Sequence, residues 1–465
     1  MFSLISSIAL TNIIYLLIGK LLTNKNSVSL KYYTDTAIIG FIYFSFIALL
    51  INFFSSLNPT LNSIILVLFF IAFFIKKTVL SKKEILISIL LTFFSFFLIL
   101  LDTVYRPDAG LYHLPFIKIL NEEKIIFGLF NLHARFGHVS ILQYSSAFNN
   151  NVFLGEIGIL IPLLCMYSLL TFYFLGDILN YIFNSKNKNF NFTSIYFSCL
   201  VLLYISYKIN RYSEFGNDAI GHLLFFYLIS KLINLKNLDY KNFNKIYLLS
   251  VFTILNKFTL IFSILIPAYL FIKNKIHFRK TLLSLPTLFL ILWIIRNIIT
   301  SGCIIYPQTN TCFVNLDWSN KDKIITESHS AEAWAKDWPN RIDKNTSMEN
   351  YSKNFNWLSS WLKNHFKKVA NILIPYLLVL FLITLYFKTR NEKQFYFKNI
   401  KLPLFICLLG SAIFFLKFPI YRYGYSYLIS AFILISILLI KFYDQEKIKK
   451  LCVFVLFIFI TSYVY

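Results

Sequence analysis

The sequence predicts an all-α fold, a polytopic transmembrane helical bundle of about 13–14 spans with amphipathic helices on its outer face. Three observations carry that expectation. The 465-residue chain is 57% hydrophobic and only 14% charged, a balance that belongs to membrane proteins rather than soluble domains. Its apolar residues fall into runs close to the roughly 20 residues that cross a hydrocarbon core. Its lysines and arginines fall into the short segments between those runs, as in the cytoplasmic loops of membrane proteins.

The apolar runs, taken in order, place spans near 3–19, 36–54, 61–75, 84–101, 155–182, 193–207, 217–234, 246–256, 258–272, 281–299, 366–387, 402–416, 421–440 and 451–464. No basic segment precedes the first run and no small-residue cleavage site follows it, so it reads as a span and not as a leader. The 246–272 region admits one long helix, or two short or re-entrant ones broken around Asn256–Lys257. The segments 20–35, 76–83, 183–192, 235–245, 273–280, 388–401 and 441–450 each hold two to five Lys or Arg. The positive-inside rule makes them cytoplasmic and puts both termini outside. A single crossing at 246–272 would break this parity, which favours the broken reading.

Two long segments, 102–154 and 300–365, are thereby exported, with acids and bases balanced at four against four and seven against seven. The expected organisation is a three-span N-terminal addition (1–83), a membrane core (84–299) with the outer loop 102–154, a second outer loop (300–365) and C-terminal spans (366–465). The stretch 109–148 is too polar to span and reads as one or two interfacial amphipathic helices. The net charge of +24 invites a nucleic-acid partner. Its confinement to short inter-span loops, and the lack of any DNA- or RNA-binding module signature, exclude that class.

Cys165, Cys199, Cys407 and Cys452 lie in apolar spans and read as buried, inert thiols. Cys303 and Cys312 bracket the start of the second outer loop, where they form either a disulfide or two unpaired thiols.

Residues 101–140, LDTVYRPDAGLYHLPFIKILNEEKIIFGLFNLHARFGHVS, concentrate the chemistry: three of the seven histidines, four acids and four bases. Asp102 ends a span, as a helix terminator or as a general base. Asp108 follows and can take a proton from a hydroxyl or hold a divalent cation. His113, His133, Arg135 and His138 come next. The histidines with Asp108 match no strong zinc spacing, whereas an arginine suits phosphate through its planar fork. Lys257, Arg296 and Arg422 are expected in the outer half of the bundle, where with Arg135 they could cradle a lipid-linked phosphate; singly, each could equally be a snorkelling side chain. Asp218 and His222, one helical turn apart, either face the same cavity or pair locally.

The motifs DAGLYHLP, GLFNLHARFGHVS and RNIITSGCIIYP, with a downstream DW, resemble a family of bacterial multi-pass membrane proteins related to the GT-C glycosyltransferases. That superfamily includes the protein O-mannosyltransferases and the aminoarabinose transferase of lipid A. The resemblance spans roughly residues 84–440. It implies a catalytic carboxylate in the first large outer loop, at Asp108 beside Tyr112, with Asp102 second. It also implies a late-span Arg–aromatic element contacting donor phosphate, at Arg422 and Tyr423. Many GT-C members carry two adjacent acids, whereas Ala109 follows Asp108 here, which leaves metal dependence open.

The expectation is therefore an inner-membrane enzyme with its site and both termini on the periplasmic side. It would move a sugar from a polyprenyl-phosphate donor to a cell-envelope glycan, lipid or protein acceptor, with no certain cofactor beyond a possible divalent cation. A polysaccharide polymerase or ligase, relying on the 300–365 loop, and a transporter or flippase are the alternatives. No internal repeat of the kind transporters carry is evident.

Overall fold

In the computed structural model the described residues are 2–23, 29–100, 107–184, 190–209, 218–313, 315–388, 400–440 and 444–463. Among them the fold is an all-α bundle: no strand is present beyond an isolated bridge between Cys303 and Cys312. Each of the fourteen apolar runs coincides with helix: α1 (Phe2–Thr23), α2 (Leu30–Asn52), α3 (Pro59–Ile75), α4 (Lys82–Leu100), α7 (Ile161–Asn184), α8 (Phe192–Lys208), α9 (Asp218–Ile233), α10 (Tyr240–Asn256), α11 (Leu265–Lys273) with the 3₁₀ stretch Phe258–Ile264 before it, α13 (Leu285–Ser301), α17 (Lys367–Phe387), α18 (Lys401–Lys417), α19 (Tyr421–Leu439) and α20 (Gln445–Ser462). Six helical stretches, containing α1, α2, α4, α7, α17 and α19, are long and apolar enough to cross a membrane, and four shorter apolar helices accompany them. This is the architecture of a membrane protein.

The remaining helices are short: α5 (Leu114–Glu122), α6 (Ile141–Asn149), α12 (Phe278–Leu282), α14 (Lys321–Ala335), α15 (Met348–Ser352) and α16 (Leu358–Trp361). The stretch expected at the interface behaves in two ways. α5 is amphipathic, burying Phe116, Ile117 and Leu120 while Lys118 and Glu122 pair in the open. α6 sinks further, and all nine of its residues are buried. Several of its polar side chains find partners at that depth: Ser145 bonds Ser45 of α2 at 2.6 Å and the Asn149 amide donates to the Gly158 carbonyl at 2.9 Å, while the Ser146 hydroxyl has none among the described residues.

The first two helices belong to the interior. α1 and α2 cross so closely that a Cβ on Gly40 would stand 1.8 Å from the Tyr15 carbonyl oxygen. α2 also packs on α6 and α7, and α1 on α4.

The 246–272 region is broken. α10 stops at Asn256, Lys257 takes an extended conformation, and a 3₁₀ stretch leads into α11. Lys20 reaches Glu84, Lys31 reaches Asp177 and Tyr181 reaches the Gln445 carbonyl. The loop ends of α1, α2, α4, α7 and α20 therefore meet at one end of the bundle. At the other end, Gly128 bonds the Ile299 carbonyl and Ser140 contacts Asn256 at 3.5 Å.

Candidate functional site

The second of these ends gathers most of the chemistry. Asp108 and Tyr112 lie one turn apart at the start of a π-helical turn, Ala109–His113, an irregularity frequent at functional sites. The Tyr112 hydroxyl bonds the Asp108 carboxylate, and burial together with that carboxylate raises the Tyr112 pKa, keeping the phenol protonated as a donor. Arg135 and Arg422 both lie within electrostatic reach of Tyr112, and Asp108 within reach of Arg422.

His113 is fixed by a chain of two helix-capping bonds. Ser140 and Gln143 form a capping box at the start of α6. The Gln143 amide oxygen accepts from the Ser140 N–H at 2.9 Å, which turns its Nε2 towards His113 Nδ1 at 3.0 Å. An amide nitrogen can only donate, so Nδ1 accepts and the His113 proton sits on Nε2. Burial lowers the His113 pKa, which agrees with that neutral tautomer. The rings of His113 and His133 flank Tyr112 at 4.4 and 6.3 Å.

Behind this group stands an ion pair built from three helices. The extended residue at the end of α10, Lys257, is buried and bonds Asp218 at the first turn of α9. Arg422, at the first turn of α19, approaches the other Asp218 oxygen at 3.9 Å and keeps 53% of its side-chain surface open. Gly221 makes the approach of Lys257 possible, since a Cβ there would lie 2.8 Å from Lys257 Cβ. Tyr423 lies under both cations, its ring centroid 5.1 Å from Lys257 Nζ and 5.2 Å from the Arg422 guanidinium carbon. His222 ties α9 to α19: Nε2 bonds the Arg422 carbonyl at 2.8 Å and Nδ1 the Ser426 hydroxyl at 2.7 Å. A carbonyl only accepts, so the His222 proton is on Nε2. The broken segment is held as well, Thr259 donating to the Tyr423 carbonyl at 3.0 Å.

The structure thus brings Asp108, Tyr112, His113, His133, Arg135, Lys257, Arg422 and Tyr423 towards one end of the bundle. It adds Asp218, which binds both later cations. Asp102 lies outside the described residues. Arg296 departs from the expected cradle. Its guanidinium is buried and bonds the Tyr144 hydroxyl, the Phe136 carbonyl and the Asn297 side chain at 3.1–3.2 Å, one bond from each nitrogen. It clamps the 133–138 turn from below instead of facing a ligand, because the groups that satisfy it come from a segment some 150 residues earlier in the chain.

His138 packs on Tyr306 at 5.1 Å and lies 4.0 Å from Glu327 of α14. Desolvation by the residues around it and the nearby Arg135 push its pKa down to about 4, although 30% of its side chain stays open, so this contact is not an ion pair near neutrality. Burial raises the Glu327 pKa against the pull of Arg135, His133 and Lys323. Glu327 went unnoticed in the sequence because nothing distinguishes it among the seven acids of the 300–365 loop. That loop is laid over the 128–138 turn by the Asn131 amide on the Trp318 carbonyl and by Lys323 on the Asn131 carbonyl. Tyr306 packs where a Gly137 Cβ would be. Cys303 and Cys312 are joined by a disulfide in a small cluster with Phe130, Tyr306 and Ile324. Among the described residues no group of three His, Cys, Asp or Glu is arranged to hold a metal ion.

A cavity of about 440 Å³ lies between the 329–357 segment and the end of α18, lined by His329, Glu332, Lys336, Phe355, Trp357 and Lys417 among others. Its residues are not those gathered around Asp108.

Residues 1–429 match the sequence profile of a family described as a domain of unknown function, DUF8201. The chain belongs to the DUF8201 family. The match includes the first three helices together with Asp108, Asp218, Lys257 and Arg422. No curated protein and no solved structure matches the chain.

Proposed function

We propose that this DUF8201 protein is a GT-C-type glycosyltransferase of the bacterial inner membrane, transferring a sugar from a polyprenyl-phosphate donor to a cell-envelope acceptor at the periplasmic face. One observation carries the reading: a partly buried carboxylate, Asp108, accepts from a tyrosine hydroxyl that lies within electrostatic reach of two arginines, Arg135 and Arg422, with an acid–lysine pair anchoring the second.

The chemistry needs those groups. Asp108 takes the proton of the acceptor hydroxyl, whose oxygen forms the new bond to the anomeric carbon as the bond from that carbon to the phosphate oxygen breaks. The electron pair leaves with the phosphate, and inversion follows from attack opposite the leaving group. Arg422 and Arg135 offer fixed donors to the departing charge, Arg422 held in place by Asp218 and by its cation–π contact with Tyr423. His113, donating through Nε2, and Tyr112 can bond sugar hydroxyls. Lys257 supports this from behind; Arg296 acts only through the turn that carries Arg135.

The positive-inside pattern supports the periplasmic assignment. Lys20, Lys31, Lys231 and Lys245 lie at the end remote from Asp108, and under the positive-inside rule this supports an outer position for Asp108 and both termini.

The test is transfer of radiolabelled sugar from polyprenyl-phosphate donors in membranes, comparing the native chain with Asp108→Asn. Loss of a general base costs about 10²–10⁴-fold, so transfer falls by that factor at unchanged protein level. Full activity in Asp108→Asn removes Asp108 as the base.

A further inference from the structure

The far end of the bundle contains a cleft that the proposed reaction does not use. It lies between the C-terminal end of α9 and the N-terminal end of α10, with a volume of about 350 Å³, and is lined by Lys231, Lys236, Lys245, Asn234, Asn237 and Asn242, with Leu235, Ile246 and Leu249 beside them. Such a volume falls at the lower end of small-molecule sites, roughly 300–1,000 Å³.

Its charge is unbalanced. The carboxylate beneath it, Asp35 of α2, is already satisfied: one oxygen accepts from the Tyr227 hydroxyl at 2.7 Å and the other from Lys231. Lys231 is further held over the rings of Tyr173 and Tyr227. Lys245 reaches Asp35 only at 3.8 Å and retains 35% of its side-chain surface. Lys31 nearby is neutralised by Asp177. Asp239, the one acid in the connecting loop, caps α10 by accepting from the Asn242 N–H at 2.7 Å. Two carboxylates, Asp35 and Asp239, thus stand against Lys231, Lys236 and Lys245, and Asp239 is engaged by the α10 N-terminus, which leaves the cleft net positive.

We propose that this cleft binds the phosphodiester of an anionic glycerophospholipid head group. Lys236 and Lys245 meet the phosphate oxygens, the asparagines bond the head-group hydroxyls, and the leucines and isoleucine meet the glycerol and upper acyl carbons. The chemistry fits because lysines between helices at a membrane surface gain affinity for each negative charge they meet. The site is independent of the proposed transfer reaction.

The experiment is native mass spectrometry of the detergent-purified full chain, titrated with phosphatidylglycerol or with phosphatidylcholine. The expected result is several-fold better retention of phosphatidylglycerol, and a drop of more than tenfold in Lys236→Ala/Lys245→Ala, at roughly fivefold per lysine. Lys236 is exposed, so Lys236→Glu keeps the test available if the double variant does not fold. An arm with glycerol 3-phosphate separates the sources: no displacement supports a membrane lipid, and full displacement at equal concentration overturns the lipid assignment in favour of a soluble phosphate ester. Equal retention of the two lipids, or phosphatidylglycerol retention unchanged in every lysine variant, overturns the site.

Discussion

The α9–α10 hairpin carries an acid–lysine cluster at each of its ends, and the two are built to opposite purposes. At one end Asp35 is enclosed by Tyr227, Lys231 and Lys245, while the Lys31–Asp177 pair closes the neighbouring space. Every carboxylate there is spent on protein groups. At the other end Asp218 holds buried Lys257 firmly and Arg422 loosely, and Arg422 stays half open beside Asp108. The same pairing of acid and base locks helices in one place and presents a cation in the other. The difference lies in what stands beside the loosely held cation: Lys245, 3.8 Å from Asp35, borders only the lysine-lined cleft, whereas Arg422, 3.9 Å from Asp218, lies within reach of Asp108.

Breaking the pairs should separate these roles most sharply. Asp35→Asn and Asp218→Asn each strand a largely buried lysine, and removing one partner of a buried pair costs about 3–5 kcal/mol. Both variants should therefore unfold at lower temperature in detergent. Among molecules that remain folded, Asp35→Asn should keep its transfer rate per molecule, whereas Asp218→Asn should lose most of it. Equal activity loss in both would mean that the two ends do not differ in function.

Arg422→Gln removes the exposed member alone. Its effect on stability should stay within about 1 kcal/mol, as for exposed ion pairs, while sugar transfer falls about 10²–10³-fold, the usual cost of losing one preorganised donor. A melting temperature several degrees lower with full activity would reverse the assignment and make Arg422 structural.

The smallest effect concerns pH. The folded-state pKa of His138 lies near 4, below its ordinary 6.5, so protonation favours the unfolded chain. The contribution is fully present above about pH 6.5 and is lost as the pH falls towards 4. Melting temperature should be level from pH 7 to 8 and decline below 6.5, and His138→Asn should flatten part of that decline. A profile identical in the variant would assign the decline to other groups, His113 among them.

The helices were legible because their signal is local: a run of apolar residues and a basic loop say where a span starts and stops. Even the break after Asn256 showed, since a lysine beside an asparagine interrupts the run. Asp108, Arg135 and Arg422 could be singled out as ionisable groups where such groups are costly. Partnership was not legible. Asp218 binds Lys257 from 39 residues away, and the groups that bury Arg296 stand 152 and 160 residues before it. A cation with an internal partner and one offered to a ligand look the same in a sequence. The depth of α6 was hidden for a similar reason, because Ser145 and Asn149 read as polar until Ser45 of α2 and the Gly158 carbonyl supply their bonds.

The contacts of the 128–138 turn set an order of assembly. Asn131 waits for Trp318 and Lys323, 187 and 192 residues later, and Arg422 emerges later still. A chain leaving the ribosome from its N-terminus makes the Asp218–Lys257 hairpin early, while the segment bearing His133 and Arg135 has no roof until α14 has been made. The protein therefore gains its helices long before it gains its site, and the first chain able to assemble that site is one already synthesised as far as α19.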